Sequence, residues 1–167
     1  MAELQQYKGN YGAAIAIYRT VLSTYRSIGD LQHQAYALAD IGSVYRSTER
    51  WDETLAHYEE AASLAEKAGD RYEYSEAVCG IADAHFGSGR FDLALETYQR
   101  AARIAGETEC LYVKAKATNG IAETFFHARN SEAARIYWRE AYDMFAHIGV
   151  PEAATVEIRL NALDESS

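Results

Sequence analysis

The sequence contains little that would interrupt helices or hold a secreted domain together. It has one proline in 167 residues, and its two cysteines, Cys79 and Cys110, have neither a CxxC spacing nor an apolar leader upstream. Few prolines and 49% hydrophobic residues argue against disorder and against a loop-rich fold. The cysteines are therefore expected to be reduced thiols of a cytoplasmic protein.

Basic residues and long apolar runs are also scarce. Sixteen lysines and arginines stand against 25 acidic residues, which gives a formal net charge of −9. No basic cluster interrupts this balance, so direct nucleic-acid binding is not expected. No segment approaches the roughly 18 to 20 apolar residues that a membrane-spanning helix needs. We therefore expect no membrane association.

The usual patterns of metal, nucleotide and nucleophile sites are missing. The five histidines show no HExxH arrangement, and the segment GSGR at 87–90 lacks the lysine-serine ending of a phosphate-binding loop. Cys79 has Glu76 and Asp83 at helical spacing, which disfavours a reactive thiolate. The sequence therefore predicts neither enzymatic activity nor a cofactor.

The strongest pattern present in the sequence is an internal repeat with a period of 40 residues. Aromatic residues recur at this interval, at Tyr18, Tyr58, Tyr98 and Trp138. Isoleucines recur in the same way, at Ile41, Ile81 and Ile121, and a small residue follows each of them. Small and bulky residues in a fixed rhythm are typical of repeat proteins, whose units pack in layers.

Each period is predicted to form two antiparallel helices, because apolar residues recur at spacings of three and four. The predicted helices span residues 11–28, 32–47, 51–68, 71–88, 91–106, 111–128, 131–148 and 151–164. The pairs Gly29-Asp30 and Gly69-Asp70 are interpreted as a helix-ending glycine followed by an N-cap aspartate, and Ser131 as another N-cap. The pattern indicates a stack of helix pairs.

The repeated residues resemble the tetratricopeptide repeat family. That family places a large apolar residue, Leu-Gly and a tyrosine on the first helix of each pair, and alanine, an aromatic and alanine on the second. One copy is matched by Leu38, Ile41, Gly42, Tyr45, Thr54, Tyr58 and Ala61. The next is matched by Val78, Ile81, Ala82, His85, Ala94, Tyr98 and Ala101, and a third by Thr118, Ile121, Ala122, Phe125, Ala134, Trp138 and Ala141. The period of 40 residues exceeds the family's usual period of about 34. This longer type of repeat is similar to the repeats of bacterial transcriptional regulators, including actinobacterial antibiotic-pathway regulators and ATPase-coupled activators.

The resemblance implies an all-α, right-handed α-solenoid of antiparallel helix pairs with a C-terminal capping helix. Its repeat units are residues 1–29 (partial), 30–69, 70–109 and 110–149, followed by the capping helix 150–164. We expect one domain, and we expect it to be a fragment of a larger protein.

The resemblance also implies a concave groove lined by the first helices. The candidate groove residues are Tyr36, Asp40, Ser43, Arg46, Glu76, Asp83, Phe86, Lys116, Asn119, Glu123, Phe126 and His127. Acidic residues outnumber basic ones there, which predicts a ligand with basic residues and an apolar anchor near Phe86 or Phe126. A solvated acidic face is an equal alternative. The family's clamp for a peptide carboxylate is matched only by Lys116 and Asn119.

Two mid-helix glycines, Gly80 and Gly120, recur at one groove position and indicate close approach by a neighbouring helix or by a ligand, with the helix favoured.

Three functional hypotheses follow from the resemblance and the predicted groove. The leading one is a sensor or docking module of a bacterial regulator, which binds a peptide or another domain of the same polypeptide. The second is a scaffold or homodimerisation domain, and an enzyme is the remote third.

Overall fold

The computed structural model of the chain describes residues 2–165 and consists of helices joined by short turns. The helices are α1 (Ala2–Tyr7), α2 (Tyr11–Ile28), α3 (Leu31–Ser47), α4 (Trp51–Ala68), α5 (Arg71–Gly87), α6 (Phe91–Glu107), α7 (Leu111–His127), α8 (Ser131–Ile148) and α9 (Glu152–Glu165). No strand occurs in this range. The predicted all-α solenoid is confirmed, and the eight predicted helices correspond to α2–α9. Met1, Ser166 and Ser167 lie outside the described residues.

The helices end where the predicted turn residues stand. Gly29 and Gly69 adopt left-handed backbone angles, with φ of 70° and 72°, and end α2 and α4. The side chain of Asp30 accepts a hydrogen bond from the backbone N–H of His33 at 3.1 Å, and that of Asp70 accepts one from the N–H of Glu73 at 2.9 Å. Both pairs of residues therefore act as a helix stop and an N-cap, as expected.

The prediction of Ser131 as an N-cap is wrong. Asn130 precedes α8 and accepts a hydrogen bond from the backbone N–H of Ala133 at 3.1 Å. Ser131 is instead the first residue of the helix. Asparagine is a strong N-cap residue, and here it lies one position earlier, where its side-chain oxygen reaches the third helical N–H.

A left-handed residue recurs every 20 positions. These residues are Gly9, Gly29, Glu49, Gly69, Gly89, Glu109, Arg129 and Gly149. Three of them are not glycine, and Glu49, Glu109 and Arg129 nevertheless have φ of 57°, 56° and 60°. The turn geometry is therefore kept even where the residue does not favour it.

The forty-residue rhythm corresponds to one repeated packing site. Tyr18, Tyr58, Tyr98 and Trp138 are buried alike, at 6%, 6%, 4% and 1% exposure. A Cβ atom built on Gly80 would lie less than 3.0 Å from the ring of Tyr58, and one built on Gly120 less than 3.0 Å from the ring of Tyr98. Both glycines thus allow an aromatic ring of the preceding pair to lie against the helix.

The first helices of successive pairs lie side by side, and we call the surface that they line the inner wall. We call α1, α3, α5, α7 and α9 the first helices and α2, α4, α6 and α8 the second helices. Each helix packs against its neighbours in the chain, and α3 contacts α5 as α5 contacts α7. At the end of the stack, α9 buries Val156, Leu160 and Leu163 in one core cluster with Trp138 and Phe145.

Candidate functional site

A cavity of about 490 Å³, which we call the main cavity, lies along the inner wall between α5, α7 and α9. Six of the twelve predicted groove residues line it: Arg46, Asp83, Phe86, Lys116, Asn119 and Glu123. Sequence reasoning missed its remaining polar lining residues, Tyr98, Tyr112, Glu152, Thr155 and Arg159. Four of these five belong to a second helix or to α9, which were expected to serve packing and capping.

Three predicted residues lie nearer the start of the chain. Tyr36 and Asp40 line a separate cavity of about 450 Å³ beside α2. Ser43 accepts a hydrogen bond from the side-chain amide of Gln6 at 3.5 Å. The predicted set therefore falls into two regions of the inner wall.

Two further predicted residues, Phe126 and His127, belong to an aromatic strip at the C-terminal ends of the first helices. The ring of His127 stacks on Phe91 at 5.3 Å and meets Phe86 edge to face at 5.0 Å. The ring of Phe126 lies 5.3 Å from Trp138. Because Phe86 also lines the main cavity, this strip joins the cavity to the edge of the solenoid.

Three ion pairs join successive first helices along the inner wall. Arg46 of α3 pairs with Asp83 of α5. The twelfth predicted residue, Glu76 of α5, pairs with Lys116 of α7. Glu123 of α7 pairs with Arg159 of α9 at 2.8 Å. These acids therefore hold adjacent repeats together, and the excess of negative charge expected along the whole groove is offset at this part of the wall.

Rings from the second helices support two of these carboxylates. The hydroxyl of Tyr98 donates to Asp83 at 2.6 Å, and the indole N–H of Trp138 donates to Glu123 at 3.3 Å. These two contacts occupy equivalent positions, 40 residues apart. Burial, and then the charge of Asp83, raises the pKa of Tyr98 well above its ordinary value. The phenol therefore remains a hydrogen-bond donor at physiological pH.

Asn119 presents an unused acceptor at the main cavity. Its Oδ1 atom is buried and accepts no hydrogen bond from any residue that the structure describes. Glu152 is similar: one carboxylate oxygen accepts from the hydroxyl of Tyr112 at 2.7 Å, while the other has no partner within residues 2–165. Buried acceptors are normally satisfied, so both atoms are suited to a donor that enters the cavity.

Glu73 is a buried carboxyl that sequence reasoning missed. It is 4% exposed on α5, and burial, followed by the charges of Glu76, Asp70 and Asp40, raises its pKa to about 8. Forty residues later the same position holds Val113, which is fully buried. A charged residue at an apolar position of the repeat is the signal that would have found it.

The part of the chain described here offers little for other kinds of site. Between residues 2 and 165, no group of three or more His, Cys, Asp and Glu side chains has an arrangement suited to a metal ion. Over the same range, no helix combines the length and the apolar character needed to cross a membrane. Cys79 is a free cysteine and fully buried, and burial raises the pKa of its thiol.

Comparison with known proteins links this architecture to one family. Two models of the tetratricopeptide repeat match the chain, at residues 34–107 and 79–147. No curated protein sequence matches it. Among solved structures, a Rap protein complexed with Competence and Sporulation Factor is 16% identical, with a TM-score of 0.86 over 97% of this chain and 46% of that one.

Two further structures have the same fold. A Rap conjugation gene regulator in complex with the Phr* peptide is 19% identical, with a TM-score of 0.85 over 97% of this chain and 45% of that one. A signal transduction ATPase with a tetratricopeptide repeat sensor, from Pyrococcus horikoshii, is 20% identical, with a TM-score of 0.78 over 98% of this chain and 25% of that one. This chain spans less than half the length of each of the three proteins. The family matches, the repeated packing site and the stacked helix pairs together show that the chain belongs to the tetratricopeptide repeat family.

Proposed function

We propose that the inner wall binds an extended segment of another protein, or of another domain of the same polypeptide, and that the chain has no catalytic role. The observation that carries this proposal is the buried Oδ1 of Asn119, which has no partner among the described residues and lines the main cavity. A side-chain amide can accept from a backbone N–H and donate to a backbone carbonyl. It therefore suits a peptide main chain.

The surroundings of Asn119 favour a segment with an apolar anchor. Phe86 lines the same cavity and continues into the aromatic strip with Phe91 and His127. Phe126, which belongs to the same aromatic strip, is 42% exposed. An apolar side chain placed against these rings would bury surface on both partners, which is the usual source of affinity at a peptide anchor.

Similar proteins support the proposed context. One of the Rap structures contains the Phr* peptide, and the archaeal ATPase uses its tetratricopeptide repeats as a sensor. By analogy we infer a cytoplasmic sensor or docking module within a larger regulatory protein. Repeat units at residues 1–29, 30–69, 70–109 and 110–149, with a cap at 150–164, would provide the binding surface of such a module.

A peptide library tests the groove directly. Random dodecamers displayed on phage are selected on the immobilised chain, and the enriched peptides are measured by fluorescence anisotropy against the wild type, Asn119→Ala and Asn161→Ala. Removing a buried hydrogen-bonding group costs about 1–3 kcal/mol, or roughly fivefold to 150-fold in affinity. We expect this loss for Asn119→Ala alone, because Asn161 lies on the exposed side of α9. Equal affinities for all three proteins would refute the groove.

Self-association is a second candidate, and the open face of α2 favours it. Val21 is 37% exposed, whereas the residues at the equivalent positions of the later pairs, Ala61, Ala101 and Ala141, are 0% exposed. A cavity of about 450 Å³ lies beside it. Multi-angle light scattering over a concentration series distinguishes the two functions. A monomer at all concentrations would rule out self-association, and Val21→Asp should dissociate any dimer that uses this face.

A further inference from the structure

Glu152 differs from the other two carboxylates that line the main cavity, Asp83 and Glu123. Asp83 pairs with Arg46, and Glu123 pairs with Arg159 at 2.8 Å. Glu152 forms no ion pair with any residue between 2 and 165. The cavity therefore contains one carboxylate that is not paired with a basic side chain of this chain.

One hydrogen bond holds the carboxylate of Glu152 in place. Its Oε1 atom accepts from the hydroxyl of Tyr112 at 2.7 Å. Burial, followed by this hydrogen bond, raises the pKa of Tyr112 to about 12, so the phenol stays a donor at neutral pH. The Oε2 atom of Glu152 is buried and accepts no hydrogen bond within the part of the chain that the structure describes. One acceptor of a cavity-lining carboxylate is thus left for a donor from another molecule or domain.

The position of Glu152 at the start of a helix does not explain this arrangement. Glutamate in the first turn complements the helix dipole, and Glu152 is the first residue of α9. A solvated carboxylate would serve that purpose equally well. A buried oxygen without a partner costs free energy instead, and a ligand that donates to Oε2 would remove this cost.

The neighbouring lining residues suit a long cationic side chain. Tyr112 and Val156 add apolar surface to the cavity, against which an aliphatic stem can lie. Thr155 lines the same cavity and is exposed, about one turn after Glu152 on α9. Its hydroxyl oxygen can accept a second hydrogen bond from a head group with several donors.

Lys116 does not fill this position itself. Its ammonium lies 5.6 Å from the centroid of the Tyr112 ring, and Lys116 lines the main cavity. It pairs with Glu76 of α5, however, so the positive charge of Lys116 is directed away from α9. The contact with Tyr112 indicates that this ring tolerates an ammonium group nearby.

We propose that Glu152 and Thr155 form a subsite for one cationic side chain, an ammonium or a guanidinium, of the segment whose main chain is bound at Asn119. This inference rests on the proposed function, since it names the chemistry of a second contact in the same cavity. The head group donates to Oε2 of Glu152 and to the hydroxyl of Thr155, while its stem lies against Tyr112. A charged donor suits the carboxylate better than a neutral one, because charge-assisted hydrogen bonds are roughly twice as strong.

Carbon-13 NMR of the full chain labelled at glutamate carboxyls tests the subsite with defined probes. Nα-acetyl-lysine amide and Nα-acetyl-arginine amide carry the two cationic head groups, and Nα-acetyl-citrulline amide is the neutral control. The Glu152 signal is assigned by through-bond correlation to its own backbone. At matched ionic strength, at least one cationic probe is expected to shift this signal saturably and to bind about tenfold or more tightly than the citrulline probe. The tighter of the two cationic probes identifies the head group.

Two variants distinguish the subsite from general attraction to an acidic chain. Glu152→Gln keeps the size of the side chain and removes its charge, so it should reduce the affinity for the cationic probe to that for the citrulline probe. Glu157→Gln removes the same charge from the exposed side of α9 and should leave the affinity unchanged. The backbone amide signal of Thr155 reports binding in both variants.

Three results would overturn the proposal. The first is the lack of any saturable shift of the Glu152 signal with either cationic probe. The second is equal affinity for the cationic and citrulline probes, and the third is an equal loss of affinity in the two variants. The first two are measured on the unmodified chain, so they decide the question even if Glu152→Gln fails to fold.

The outcome is separable from that of the peptide-library experiment. If a cationic probe binds at Glu152 but Asn119→Ala does not alter peptide affinity, the subsite is correct and the groove is wrong. If Asn119→Ala weakens peptide binding but neither cationic probe shifts the Glu152 signal, the groove is correct and the cationic subsite is wrong.

Discussion

The hydroxyl of Tyr98 donates a hydrogen bond to Asp83 at 2.6 Å, and Asp83 pairs in turn with Arg46 of the preceding repeat. One groove carboxylate thus connects a second helix to two successive first helices. The sequence predicts that Asp83 faces a ligand. Its contacts show that it also stabilises the wall that would hold the ligand.

Tyr98→Phe is expected to destabilise the chain by about 1.5–3 kcal/mol, the usual range for a hydrogen bond to a charged group. The ring remains in place, so the loss reflects the hydroxyl alone. Urea unfolding measures it, and a double-mutant cycle with Asp83→Ala, which removes the acceptor, should give an interaction energy of comparable size. Tyr137→Phe is the control, because the ring of Tyr137 stacks on Phe125 at 5.5 Å and phenylalanine keeps this contact.

Gly120→Ala should destabilise the chain by about 1–3 kcal/mol, because the new methyl group would overlap the buried ring of Tyr98. Tyr98 cannot easily move aside while its hydroxyl is bonded to Asp83. Gly106→Ala is a matched control: no atom lies within 4 Å of a Cβ built there, and alanine favours a helix by roughly 0.5–1 kcal/mol. Thermal melts that move in the same direction for both variants would contradict the packing described here.

Glu109→Gly should stabilise the chain by about 1–2 kcal/mol. Glu109 has a φ of 56°, and left-handed backbone is unfavourable by that amount for residues other than glycine. Gly89→Ala, at another turn of the same geometry with a φ of 73°, should have the opposite effect. Urea midpoints compare the two, and an unchanged or lower midpoint for Glu109→Gly would show that the Glu109 side chain makes a compensating contact.

Glu73→Gln should become progressively more stable than the wild type as pH rises from about 5 to 8. The folded-state pKa of Glu73 is raised to about 8 from 4.5, so between these values the native state holds a proton that the unfolded state has released. Wild-type stability therefore falls as pH increases, by at most about 1.4 kcal/mol per pH unit from this group. Glutamine does not titrate, so the variant lacks this loss.

Urea unfolding at pH 5, 6.5 and 8 measures the divergence. Glu96→Gln, on the exposed face of α6, should follow the wild type at all three pH values. A constant difference between Glu73→Gln and the wild type would mean that the Glu73 carboxyl titrates normally in the folded chain.

Most of the helical architecture is predictable from the sequence, because it depends on local spacing. Apolar residues three and four apart define the helix faces, and pairs such as Gly69-Asp70 mark the ends. The turns at Glu49, Glu109 and Arg129 have no glycine at the left-handed position. They are left-handed because the stacking of helices on both sides imposes the same turn at each twentieth residue.

The groove is less predictable, because its chemistry depends on contacts between repeats. The spacing places Asp83 and Glu123 on the inner wall, but their pairing with Arg46 and Arg159 depends on side chains 36 or 37 residues away. The contribution of α9 was missed for the same reason, since Thr155 and Arg159 line the cavity only because α9 packs at the end of the stack. The repeat pattern gives no role to Glu73, because the equivalent positions 33 and 113 hold histidine and valine.

The order of helix contacts has a consequence for biosynthesis. Among the described helices, extensive contacts join only neighbours in the chain and successive first helices. A nascent polypeptide can therefore add each hairpin to those already folded while the ribosome is still translating the next one. Such sequential growth limits the time for which apolar faces are exposed to the translation machinery and to other unfinished chains.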